Sequence, residues 1–161
     1  MSLWSDLAAA PLPELPQLLT RVRWPDLGLS LAHHLPARSW ASLRPHHSET
    51  CEVGLFFLPR GEHIPLHDHP DMHVFMRVLL GSLHVHSYTR VSPTHARRTT
   101  TDLDEHSPVW LVEPHRDNLH ALHARTDAVF LDVLRPPYID RVCTYYTPTP
   151  EPGDLWRLHP L

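Results

Sequence analysis

From Cys51 to Leu134 the chain reads as a series of short apolar runs with period-two alternation: "CEVGLFFL", "HVFMRVLL", "SLHVHSYTR", "SPVWLV", "NLHALHAR" and "DAVFLDVL". The segments "PRG", "DHP", "GS", "SPT" and "EPHRD" punctuate them. Strands of this length, with turns at this spacing, build a barrel or a sandwich. Eighteen prolines against five glycines add stiff loops and short elements, not long helices. At 161 residues the chain fits one domain with its own core. Within it, 51–147 forms the all-β core. Residues 1–50, with apolar pieces such as "LPQLLTRVRW", predict one or two short helices covering one side, anchored by Trp4, Trp24 and Trp40. Residues 148–161 read as a Pro-rich tail lying extended along the surface.

Charge and cysteine content narrow the function. A formal net charge of −4 argues against nucleic acid as a partner, and the one adjacent basic pair, Arg97-Arg98, reads as a solvated loop. All fourteen basic residues are arginine, so Schiff-base and lysine-nucleophile mechanisms are closed to this chain. Cys51 and Cys143 are too few for a disulfide framework. No apolar stretch approaches the roughly 18 residues of a membrane span, and the N-terminus lacks the basic region of a secretory signal. The expectation is a cytoplasmic monomer without membrane or nucleic-acid partners.

The segment "GEHIPLHDHPDMHVFMRVLLG", Gly61 to Gly81, holds four of the sixteen histidines. In an extended chain, His67 and His69 project to one face, where both nitrogens can reach one ion about 2.0–2.2 Å away. His84 and His86 form a second HxH pair, but they alternate with Leu83, Val85 and Ser87 and read as a polar strand face. Met72, Phe75 and Met76 read as core.

Gly61, five residues, His67-x-His69, then Gly81 and a distant His120 resemble the two motifs of the cupin barrel. His120 lies 51 residues beyond His69, a separation expected of strands that face each other across a barrel interior. His123 falls on the opposite face from His120. The glutamate that many cupins add after HxH is missing, its place held by His73 or Val74.

In order along the chain, "FFLPRGEHIPLHDHPDMHVFMRVLLGSLHVHSY", "NLHAL", "FLDVLRPPY" and "CTYY" resemble the family of plant cysteine oxidases and cysteamine dioxygenases. The resemblance implies a single jelly-roll-like cupin barrel with iron(II) on His67, His69 and His120. It also implies dioxygenation of cysteamine, or of a peptide's N-terminal cysteine, by O2 to a sulfinic acid. Three imidazoles leave the metal's charge uncompensated, so the substrate thiolate would supply the missing negative charge. Asp132, Tyr138, Cys143 and Tyr145 are implied around the substrate. For Asp132 two roles stand: a strand-end carboxylate bonded to backbone, or an acceptor for the substrate amine or a ligand imidazole. Cys143 and Tyr145, two apart on an expected strand, either pack as core or line the pocket, with a thioether cross-link possible; Tyr146 points away. A cupin with another metal and substrate, or a metal-dependent sensory cupin without turnover, are the rival readings.

Three departures from the family pattern stand out. Asp71 replaces the usual Gly of "HPGM" and must take a left-handed conformation. Only four residues separate Tyr138 from Cys143. "EPHRDNLH" lacks the Gly that generally precedes the Asn.

Overall fold

The computed structural model describes residues 2–161. Two antiparallel sheets face each other. The first runs in the order β1 (Ala41–His47), β2 (Glu52–Leu58), β9 (Ala128–Arg135), β4 (His73–Leu80), β7 (Trp110–Val112). The second runs β10 (Tyr146–Glu151), β11 (Leu155–Pro160), β6 (His95–Asp104), β5 (Ser82–Arg90), β8 (Leu119–Ala124), β3 (His63–Asp68). Strands from both halves of the chain interleave in each sheet, which is the double-stranded arrangement of a cupin. The hydrogen-bond ladder does not close around the barrel.

Burial explains why β9 is a continuous apolar run. Val129, Leu131 and Val133 pack with Val53, Leu55 and Phe57 of β2 against the N-terminal helices. Ala128 and Phe130, on the alternate parity, pack into the space between the sheets with Met76, Val78, Leu83, Val85 and Leu122. A strand covered on both faces needs no polar side, and β9 carries one polar residue before its end, Asp132. That residue shares the inward parity of Phe130.

The N-terminal cover contains three short α-helices, α1 (Leu3–Ala9), α2 (Leu15–Thr20) and α3 (Leu31–His34), more than the one or two expected. Ser2 caps α1 by accepting from the Ser5 N–H. At its other end, Arg135 donates to the carbonyls of Leu7, Ala8 and Ala10, groups a helix C-terminus leaves without partners. One guanidinium thus ties the cover to the end of β9. Trp4 and Trp24 pack on the helix-side cluster, and Trp40 on the cluster between the sheets.

Elsewhere the structure redraws the expected boundaries. Residues 41–47, expected in the helical cover, form edge strand β1. Residues 95–104 form β6, so Arg97 and Arg98 lie on a strand, not in a loop. The tail is no loose extension: β10 and β11 pair as a hairpin, and β11 joins β6. Leu158 and Trp156 pack there with Tyr88, Leu119 and Leu66, sealing part of the outer face of the second sheet. Gly81 makes the turn into β5 at φ 77°, where a Cβ would lie 2.1 Å from the Asp127 carbonyl oxygen. No helix among the described residues is long and apolar enough to cross a membrane. Cys51 and Cys143 are free thiols.

Candidate metal centre

β3 delivers His67 to the interior, and His69 follows it one residue past the strand's end. His120 arrives on β8, directly opposite His67 in the ladder. The 51-residue separation predicts His120 across the barrel interior from the pair. The two strands are instead neighbours in one sheet, brought together as the chain between them crosses to the first sheet and back twice, at β4 and β7. The potential ligand nitrogens of the three residues all lie within 4.8 Å of one another, and the ring centroids are 4.6–4.8 Å apart.

Hydrogen bonds set the tautomers. His67 Nδ1 donates to the Pro65 carbonyl at 2.8 Å, and His69 Nδ1 to the Asn118 carbonyl at 2.9 Å, which leaves each Nε2 as a free lone pair. His120, 1% exposed, has a buried Nδ1 without a partner. Burial pushes all three pKa values down. His69 falls to about 3, with His67 adding to the effect, and His120 falls well below the ordinary histidine value under burial and the other two rings. Three neutral, converging imidazoles with oriented lone pairs, one of them with an orphaned nitrogen, are the donor set of a transition-metal site. No carboxylate joins them, and neither His73 nor Val74 reaches the cavity.

The three rings form one wall of a cavity of about 130 Å³. Asp132, Tyr138, Cys143 and Tyr145 line the same cavity, so all seven residues singled out in the sequence meet there. Asp132 is 6% exposed, and its Oδ1 has no partner. Burial, with Glu52 nearby, raises its pKa to about 8. Of its two readings, the backbone-bonded strand-end carboxylate does not fit that unpaired oxygen. Cys143 lies in a loop, not on a strand, and Tyr145 makes an isolated bridge with His67. Both still face the cavity. Burial raises the pKa of the Cys143 thiol and of the Tyr138 and Tyr145 hydroxyls beside it, which keeps all three neutral at pH 7. Tyr146 turns away toward Asp68 and Arg90.

Two supporting residues escaped the sequence argument. Asp68, between the paired histidines but on the other parity, accepts from the Thr144 N–H at 3.0 Å and the Tyr146 hydroxyl at 3.1 Å. Its backbone carbonyl accepts from Tyr138 at 2.5 Å. It therefore pins the loop that carries Cys143 and Tyr145 over the cavity. Asn118 brackets His69, donating to its carbonyl at 2.7 Å and accepting from its N–H at 3.2 Å. The signal for Asp68 was present in "HDHP": a carboxylate on a face otherwise apolar needs partners.

Two of the departures from the family pattern resolve alike. Asp71 has φ 57° and Asp117 has φ 50°, so aspartate adopts the left-handed turn at both places where glycine is usual.

A family model described as PCO_ADO matches residues 32–155. The chain is 32% identical to the 2-aminoethanethiol dioxygenase of Mus musculus over 82% of its own length and 66% of that protein's. It is 38% identical to plant cysteine oxidase 2 of Arabidopsis thaliana over 58% of its own length and 39% of that protein's. The chain thus spans less than two thirds of these relatives. Among solved structures, a cupin superfamily protein from Desulfitobacterium hafniense superposes with a TM-score of 0.51 at 19% identity, covering 68% of this chain and 90% of that one. That likeness establishes the fold.

Proposed function

The chain belongs to the PCO_ADO family, and on that premise we propose that it is a non-haem iron(II) thiol dioxygenase. It converts an amino-thiol, cysteamine or the N-terminal cysteine of a peptide, with O2 to the sulfinic acid. The observation that carries this reading is the meeting of three neutral imidazoles and an unpaired carboxylate, Asp132, in one cavity of about 130 Å³. A space that small suits a head group of a few heavy atoms.

His67, His69 and His120 would hold the iron. Bound there, the iron supplies a redox-active Lewis acid that favours the thiolate over the thiol and makes reaction with O2 accessible. The remaining work falls to the chain. Asp132 receives the substrate's ammonium, which restores the ionised carboxylate that burial disfavours. Tyr138, Cys143 and Tyr145, neutral at pH 7, form the wall that Asp68 holds shut. Phe130 and Leu122 line the floor and exclude water. Two free thiols suit a reducing cytoplasm.

The test is oxygen consumption by the iron-loaded protein with cysteamine, free cysteine, a Cys-initiated peptide and the amine-free 3-mercaptopropionate, with products weighed by mass spectrometry. Cysteamine or the peptide gains two oxygen atoms, and 3-mercaptopropionate turns over poorly. Equal turnover of the amine-free thiol moves the function to a general thiol dioxygenase. No oxygen uptake with any thiol refutes the proposal. In Asp132→Asn the loss of a charge-assisted bond lowers kcat/KM for the amino-thiol by on the order of 10- to 150-fold, with iron content unchanged.

A further inference from the structure

The second sheet repeats its histidine arrangement on the opposite face. β5 carries His84 and His86 two residues apart, and His123 of β8 stands directly opposite His84. The inner trio is built in the same way, with His120 of β8 opposite His67 of the pair on β3. β8 lies between β5 and β3 and gives one histidine to each face. The outer ring centroids are 4.9 Å apart for His84 and His86, and 5.1 Å for His86 and His123.

A second observation marks these rings as ligands. His84 Nδ1 lies 2.6 Å from Asp102 Oδ1. An ionised carboxylate only accepts, so Nδ1 donates to Asp102, and Nε2 is the ring nitrogen left to face a ligand. Carboxylate–histidine pairs of this kind orient imidazoles toward metal ions. The Arg125 guanidinium lies 3.2 Å from both that carboxylate oxygen and His84 Nδ1, and donates to the carboxylate once Nδ1 carries its proton. Burial lowers the pKa of His86 and His123, with His123, Arg98 and His84 acting on the first, and His63 and His84 on the second. The C-terminal hairpin covers the neighbouring part of this face and leaves all three rings half exposed.

We propose that His84, His86 and His123 form a second, outward-facing site for a borderline transition-metal cation such as Zn²⁺. Three imidazoles with no carboxylate in the ligand set select such an ion over Mg²⁺ or Ca²⁺. Among the described residues only the inner trio has its nitrogens already converged, so the outer trio closes by side-chain rotation as the ion binds. Arg98 and Arg125 oppose a cation there. The outer site is therefore weaker than the inner one and exchanges its ion with solvent.

The test is a Zn²⁺ titration of the untagged, iron-loaded full chain, with Mg²⁺ as control and iron counted in every sample. The native chain binds a saturable equivalent at micromolar Zn²⁺ and none of Mg²⁺. His86→Ala and His123→Ala each weaken that equivalent at least tenfold, and Asp102→Asn about tenfold. His106→Ala, on the exposed turn after β6, leaves it intact, and iron content is unchanged throughout. These half-exposed substitutions leave the fold in place, which circular dichroism checks. Absence of the equivalent below millimolar Zn²⁺, or its survival in His123→Ala, overturns the proposal. Neither result bears on thiol oxidation at the inner trio.

Discussion

The two faces of one sheet carry the same histidine pattern in opposite surroundings. On the inner face His69 is buried, its Nδ1 tied to a backbone carbonyl, and its pKa falls to about 3. On the outer face His86 is half exposed and its pKa is lowered by weaker burial and neighbouring charge. HxH with a histidine opposite its first member groups three imidazoles on one face but sets neither their depth nor their convergence. Parity supplies depth. Leu83 and Val85 are fully buried between the sheets and force His84 and His86 outward.

The largest expected effect separates the two faces by metal content. On the proposed reading, the native chain should retain about one iron after loading and desalting. His120→Ala lowers this by tenfold or more and abolishes oxygen uptake, whereas His86→Ala leaves both unchanged. Equal iron loss from His86→Ala would merge the two trios into one functional unit and end the comparison.

Next in size is a contrast between adjacent residues of β5. Leu83 is 0% exposed, so Leu83→Ala costs about 2–5 kcal/mol of unfolding free energy. His84→Ala removes a partly exposed ring and its contact with an exposed carboxylate, and shifts stability by less than about 1 kcal/mol. Urea unfolding of both variants measures the difference. Similar costs would mean that His84, too, belongs to the packed interior.

Parity also decides which strands are legible in the sequence. Strands with one buried and one wet face, such as β5, announce themselves by alternation, and β9 does so by its unbroken apolar run. β6 does not: "HARRTTTDLD" buries only Ala96 and Leu103, because it lies toward the hairpin end of the second sheet with most of its side chains in solvent. The hairpin of β10 and β11 was hidden by its prolines, which edge positions tolerate since no further strand needs their N–H groups. Both metal-site strands were legible from HxH spacing and the family-like blocks. That β3 and β8 are neighbours was not, since ladder order depends on crossovers that spacing does not encode. Asp68 and Asn118 were missed because their work is done through hydrogen bonds to distant backbone.

Asp132 sharpens the inner face from a different side. Its folded pKa of about 8 exceeds the ordinary 3.8. The folded chain thus keeps a proton that the unfolded chain releases between those values. Stability from this group is fully present below pH 3.8 and is lost as pH rises through about 8. In the metal-free protein, Asp132→Asn should match the native chain near pH 4 and exceed it by about 1–3 kcal/mol near pH 9. Thermal unfolding across that range decides it. The outer face has no counterpart, since Asp102 is exposed and its pKa is lowered by His84, so Asp102→Asn should gain nothing at high pH.

The smallest effects test the turns that border the inner trio, Asp71 just after His69 and Asp117 just before His120. Both residues are left-handed, and glycine would relieve that conformation at each. Their side chains differ. Asp71 is exposed and makes no side-chain hydrogen bond among the described residues, so Asp71→Gly should stabilise the protein by ~0.5 kcal/mol, the relief outweighing the added freedom of the unfolded chain. Asp117 Oδ1 accepts from Ser87 at 3.0 Å and Thr99 at 3.3 Å, and it holds the turn leading into Asn118. Asp117→Gly forfeits those bonds, and the net change should be a loss of about 0.5–1 kcal/mol. Opposite signs in paired denaturation curves would show that one turn only tolerates its aspartate, while the other uses the carboxylate to brace the strand that carries His120. A gain at both positions would reduce Asp117 to a strained substitute for glycine and leave Asn118 alone to position His69.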